Sequence, residues 1–194
     1  MIRPIAACLV PLLLLTAPAA ACGTAMPPAA TTTPLTLAVP DSPGFSAAVI
    51  HAVNVERCRL GLAPVGLDAA ATRSSRGQSL AMAAAGQMTH DTRVPGRGSV
   101  AARFRAEGIQ IRRKGYESIG MLGFYSVQGL GCHQGRAIPT EADLARRIVA
   151  MWLDSPPHRS QLLSPQVRQA GAAAAVSQRA ERCGSVYLTI TLYG

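Results

Sequence analysis

Apolar and polar positions along this 194-residue chain follow two periods, one helical and one alternating. From residue 45 to residue 58, Phe45, Val49, Val53 and Cys58 recur on one rough helical face, with Ser42 as cap and Pro43 in the first turn. Gly61 and Pro64 end that pattern, and Asp68 caps a second, Ala-rich helix through Leu80 and Met82 to Ala85. Gly86 loosens its end, and a Pro/Gly loop covers residues 91–98. Residues 100–107 predict a short helix stopped by Gly108; Ile109 and Ile111 alternate with polar neighbours as in a strand, and residues 116–127 extend it. Residues 129–139 read as a loop. Residues 141–153 predict a helix with Leu144, Ile148 and Met151 or Trp152 on one face. Thr140 caps it, and Asp143 stands at the capping-box position. Ser155-Pro156-Pro157 stops that helix, and residues 159–163 allow one more helical turn. Residues 170–176 and 186–193 close the chain as strands, the second with Val186, Leu188, Ile190 and Leu192 alternating against Tyr187, Thr189, Thr191 and Tyr193. Helices first and a hairpin last predict an α+β domain, helices packed on an antiparallel sheet.

The N-terminus has a different pattern. Arg3 precedes an apolar stretch centred on Leu12-Leu13-Leu14-Leu15, and the small residues Ala19-Ala20-Ala21 lead to Cys22. A charged start, an apolar middle and a small-residue exit read as a secretory signal over residues 1–21. The stretch is shorter than the roughly 20 apolar residues that span a bilayer, and Pro4, Pro11 and Pro18 interrupt it. Small residues before a Cys resemble a bacterial lipobox, which makes Cys22 the expected site of lipid attachment. Ala19 stands where that pattern usually has Leu, so plain cleavage after Ala21 or Ala25 is the alternative. Residues 22–43 are rich in Pro, Thr and Ala and read as an extended linker without a core. Residues 44–194 are then one domain, large enough to bury a core.

Without residues 1–21 the net charge falls from +9 to +8, nearly all of it arginine, because Lys114 is the only lysine. Such an exported chain suits anionic lipid or envelope polymer. Nucleic acid is excluded as a partner by the exported location and by too few aromatic side chains for base stacking. The densest basic run, Arg112-Arg113-Lys114, reads as a solvated loop or strand end. If Cys22 is acylated, Cys58, Cys132 and Cys183 remain, enough for one bridge and one free thiol. The Gly-flanked contexts of Cys132 and Cys183 favour that pair, with Cys58 a buried free thiol in its helix.

The sequence contains no Gly-rich phosphate loop, H-E-x-x-H helix, G-x-S-x-G elbow or C-x-x-C pair. Candidate chemistry rests on isolated residues: His90, Glu117, Asp154 and His158. His133 beside Cys132 reads as a surface-loop histidine, and Trp152 as core or cleft wall. Two imidazoles and a carboxylate can bind zinc with a position open for water, or serve as acid and base. Singly, each of the three is as readily structural.

Four short runs, in order, resemble the CAP superfamily in its bacterial SCP-like branch. They are Asn54-x-x-Arg57 with Gly61-Leu62-x-Pro64; Leu67-Asp68 through Met82 to Met88-Thr89-His90; Arg103 followed by Gly115-Tyr116-Glu117-Ser118-Ile119; and Trp152-Leu153-Asp154-Ser155-Pro156-Pro157-His158-Arg159 with Leu162-Leu163. The resemblance covers residues 47–194. It implies an α-β-α sandwich, with helices on both faces of a small antiparallel sheet, and a cleft where His90, Glu117 and His158 converge, in some members around zinc. The family's second acid falls here on Ser155, one residue after Asp154, and Ser118 replaces the usual Asn. The resemblance implies an extracytoplasmic binding or interaction module for lipid, envelope polymer or another extracellular protein, with no cofactor required. The alternatives are a metal-dependent hydrolase built on His90, Glu117 and His158, and a structural envelope protein. The expected location is the outer membrane or cell surface through the lipid anchor, otherwise the periplasm or the medium.

Overall fold

The structure, a computed structural model, describes residues 25–32, 43–125, 136–137, 140–180 and 183–194. Among the described residues, six helices and five strands follow one another as α1 (Pro28–Thr32), α2 (Pro43–Arg59), β1 (Gly66–Leu67), α3 (Ala69–Ala85), α4 (Val100–Ala106), β2 (Gly115–Tyr125), β3 (Arg136–Ala137), α5 (Glu141–Asp154), α6 (Pro156–Leu162), β4 (Gln169–Ala180) and β5 (Cys183–Tyr193). The strands form one sheet in the order β1-β4-β5-β2-β3. Its three long strands are antiparallel, as expected, but the two-residue edges β1 and β3 pair parallel to their neighbours, so the sheet is mixed.

Side-chain alternation along the strands sorts the two faces. Ala172, Ala174, Val186, Leu188, Ile190 and Leu192 form the main core with Phe45, Val49 and Val53 of α2 and Leu144, Ile148 and Trp152 of α5. On the opposite face Ile119, Ala175 and Tyr187 meet Met82 and Ala83 of α3. The helices begin and end where their sequence signals stand. Asp68 accepts from the Ala71 amide at 2.7 Å, Thr140 accepts from the Asp143 amide, and Gly86 ends α3 in the left-handed region at φ 62°.

Beside that cluster, the α3 side of the sheet is closed by small hydroxyl residues. Ser75 donates to the Gly171 carbonyl at 2.8 Å and lies 3.0 Å from the Thr191 hydroxyl; Ser79 repeats this with the Ala173 carbonyl and Thr189. Hydroxyls at i and i+4 on one helix thus meet alternate residues of β4 and β5. The helix lies so close that a Cβ on Gly171 would meet the backbone of Thr72.

Three expectations are corrected. Ile109 and Ile111 are not in a strand; the Ile109 amide folds back to the Phe104 carbonyl to close α4, leaving Ile109 buried. Residues 28–32, expected in an uncored linker, are helical, with Ala30 fully buried and Met26 packed against the same core. Hydrophobic contact with α2 and α5 overrides the Pro/Thr composition of this short piece. Cys58 is not a free thiol but disulfide-bonded, and it is half-buried on α2. Cys22, Cys132, His133 and the Cys183 side chain lie outside the described residues, and with them the Cys132–Cys183 pairing.

Candidate functional site

The N-x-x-R run is structural. Asn54 holds the turn after α2 by donating to the Val65 carbonyl at 2.9 Å and accepting from the Val65 amide at 2.8 Å. Arg57, fully buried, donates to the carbonyls of Ala63, Leu162 and Ser164 at 2.8 to 3.0 Å and ties α2 to the end of α6. Burial first, then the charge of Arg168, lowers its pKa from the ordinary arginine value.

The remaining motif residues meet at β2. Alternation sends Glu117 to the α3 and α4 face and Ser118 and Gly120 to the α5 and α6 face. There Ser118 lies 2.7 Å from Gln161 Oε1, and a Cβ on Gly120 would meet Ile148, Met151 and Trp152. Trp152 donates from Nε1 to the Ile119 carbonyl at 2.9 Å, which locks α5 to the backbone of β2.

Glu117, with its side chain fully buried, is held by Arg103 of α4, which is buried as well. Arg103 Nε donates to Oε2 at 3.0 Å and Nη2 to Oε1 at 2.6 Å, a two-pronged ion pair. The same guanidinium donates to the carbonyls of His90 at 2.9 Å and Arg97 at 3.0 Å. It therefore fixes both ends of the loop between α3 and α4. Gln78 of α3, fully buried, pulls the same loop inward through the Thr89 carbonyl. His90 Nδ1 lies 3.0 Å from Glu117 Oε1, and its side chain remains about half exposed at 46%.

His158, on α6, comes from the other side of the sheet. Its pKa is lowered by burial first and by the charge of His90 second. Asp154 is exposed at the end of α5, and no hydrogen bond or ion pair links it to His90, Glu117 or His158. Ser155 joins α5 to α6 and makes no side-chain cap bond. The structure thus brings His90 and Glu117 into direct contact, with His158 on α6 in neither hydrogen bond nor ion pair with them.

Of the groups expected near zinc, Glu117 is not free to be a ligand, so a zinc here would rest on the two histidines, His90 through Nε2 and His158. Both Glu117 oxygens face Arg103, and His90 Nδ1 faces Glu117. Among the described residues, no group of three or more His, Cys, Asp or Glu side chains is placed to share an ion. Sequence reasoning gave Arg103 a place in a motif but no role. An arginine fourteen residues before the buried Glu was the available signal, since a buried carboxylate needs a partner.

The chain belongs to the CAP family, the cysteine-rich secretory protein family, whose profile matches residues 50–191. No curated protein matches it in sequence. Among solved structures it is similar to an extracellular protein containing a SCP domain from Bacillus anthracis str. Ames, at 18% identity and a TM-score of 0.51, over 84% of this chain and 45% of that one. It is also similar to a cysteine-rich secretory protein from Staphylococcus aureus subsp. aureus Mu50, at 13% identity and a TM-score of 0.51, over 79% of this chain and 39% of that one. The chain spans less than half the length of either, and the likeness is one of fold. Among the described residues no helix is long and apolar enough to cross a membrane.

Proposed function

We propose that this CAP domain acts outside the cytoplasm as a binding module, attached by a lipid on Cys22. The observation that carries the binding reading is the state of Glu117. Its carboxylate is buried and engaged on both oxygens by Arg103, with His90 on one of them. A hydrolase on this trio would have to draw its base from the imidazoles alone, since Glu117 has no oxygen free to take a proton from water. Here the carboxylate is committed to holding the fold, and it leaves two imidazole edges at a partly open surface. Such a surface recognises a ligand by hydrogen bonding and shape. The signal-like residues 1–21 and the small residues before Cys22 support export and anchoring.

The test has two arms. Cells expressing the protein are fed labelled fatty acid: the label enters the wild type and not Cys22→Ser, and label in neither ends the anchor reading. The purified domain is assayed for metal and for hydrolysis of casein and ester substrates, beside His90→Ala and His158→Ala. Turnover lost in either variant with the fold intact establishes the hydrolase instead, and stoichiometric zinc lost in either establishes a two-histidine metal site.

A further inference from the structure

The charge of the domain is divided unequally between the two faces of the sandwich. From α3 to the start of β2, residues 69–114, eight exposed or half-exposed bases stand against two acids, Asp91 and Glu107. Glu107 is already claimed by Arg73 and Arg97, whose hydrogen bonds outweigh the upward push of its burial and hold its pKa below the ordinary value. Arg93, Arg105, Arg112, Arg113 and Lys114 are exposed. Across the sheet, on α2, α5, α6 and the turn after it, five such bases (Arg59, Arg146, Arg147, Arg159 and Arg168) stand against three acids, a smaller excess. Arg59 pairs there with Glu56, and Arg146 with Asp143.

The arm bearing α1 docks on this less basic face. Met26 lines a cavity of about 250 Å³ with Val55 of α2 and Val149 and Leu153 of α5, and Ala30 is buried beside it. Cys22 precedes Met26 by four residues, at most about 14 Å of chain. A lipid on Cys22 therefore brings the bilayer to the α2 and α5 side and turns the basic side away from it.

From these placements we infer that the α3 and α4 face, with Arg112-Arg113-Lys114 at its edge, is a docking surface for a linear polyanion of the surroundings. The partner is a polymer repeating phosphate or carboxylate groups, not the lipid headgroups of the protein's own membrane. The orientation rests on the lipid-anchor reading; the binding surface does not. A fixed excess of guanidinium groups suits a repeating anion, because each contact releases condensed counterions and several contacts add. The backbone amides of Arg112 and Arg113 donate to the Gly194 carbonyl, so the run is held in place while its side chains are exposed.

The experiment uses the full Cys22→Ser chain, free of lipid, with long-chain inorganic polyphosphate as probe, followed by anisotropy across a salt series. The wild-type surface binds and weakens steeply with salt. Replacing Arg112, Arg113 and Lys114 by Gln lowers affinity about tenfold or more and reduces the slope of log affinity on log salt by about two. Replacing Arg59 and Arg146 by Gln on the opposite face leaves both unchanged, with unfolding midpoints confirming that every variant is folded. Equal losses in the two sets overturn the proposal, as does binding to phosphatidylglycerol vesicles but not to polyphosphate. The lipidated chain in neutral phosphatidylcholine vesicles keeps its polyphosphate affinity if the basic face points outward, and loses it if that orientation is wrong. Absence of fatty acid on Cys22 removes the anchor and the orientation together, while the lipid-free binding result still decides the surface.

Discussion

The buried pair of Arg103 and Glu117 gives the sharpest quantitative test. Both side chains are almost fully excluded from water, and four hydrogen bonds from the guanidinium are in place. Removing one partner leaves the other charge buried and unpaired, at a cost of about 3–5 kcal/mol. Against a total stability of roughly 5–15 kcal/mol, Glu117→Leu should bring the domain close to unfolding. Arg103→Met should cost at least as much, because it also strips the donors from the His90 and Arg97 carbonyls, at about 1–3 kcal/mol each. The double variant removes both charges, so its loss should fall short of the two single losses together by about 3 kcal/mol or more. Glu117→Gln, which keeps an acceptor, serves as the milder single change. Urea unfolding followed by the fluorescence of Trp152, the only tryptophan and 1% exposed, reads the wild type and all four variants. Additivity within about 0.5 kcal/mol would refute the claim that the pair acts as a unit.

Gly171→Ala should destabilise by more than about 3 kcal/mol, since the new Cβ meets the Thr72 and Ala71 backbone and α3 must lift off the sheet; thermal melts check this. Gly120→Ala should cost less, about 1–3 kcal/mol, because Ile148 and Met151 meet it with flexible side-chain ends. Asn54→Ala breaks two bonds to Val65 and should cost about 1–3 kcal/mol by urea midpoint. His158 has a lowered folded pKa, so the unfolded chain binds the extra proton first. Its contribution is present above the ordinary histidine value of 6.5 and is lost as pH falls below it. Stability measured from pH 7.5 to 5 should therefore fall less in His158→Gln than in the wild type, and an unchanged slope would assign the acid sensitivity elsewhere.

Much of the fold was legible because it is written in local chemistry. Asp68, Thr140 and Gly86 mark helix ends by bonds within three or four residues, and the alternation from Val186 to Tyr193 needs no distant partner. What was not legible depends on residues far apart in sequence. The polar face of α3 did not announce a buried seam, because Ser75 and Ser79 become core residues only where Thr191 and Thr189 meet them, more than a hundred positions later. The docking of residues 28–32 depends on an alanine-sized space beside α5, which Pro/Thr composition does not show. In the candidate site, the structure places His90 Nδ1 3.0 Å from Glu117 Oε1. Arg103 was missed as their organiser, because a buried ion pair leaves no periodic trace. Ile109 and Ile111 alternate like a strand for an unrelated reason: one is buried closing α4 and the other is exposed.

The single guanidinium of Arg103 also has a consequence for any ligand that meets the histidine edge. It grips the loop at His90 and at Arg97 while anchored to β2 through Glu117. The loop's conformational freedom is therefore surrendered when the chain folds, not when a ligand arrives. A visitor to this surface encounters a finished template and owes no ordering entropy for the loop. Its association should proceed without a slow rearrangement step, at a rate set by encounter rather than by the protein reshaping itself.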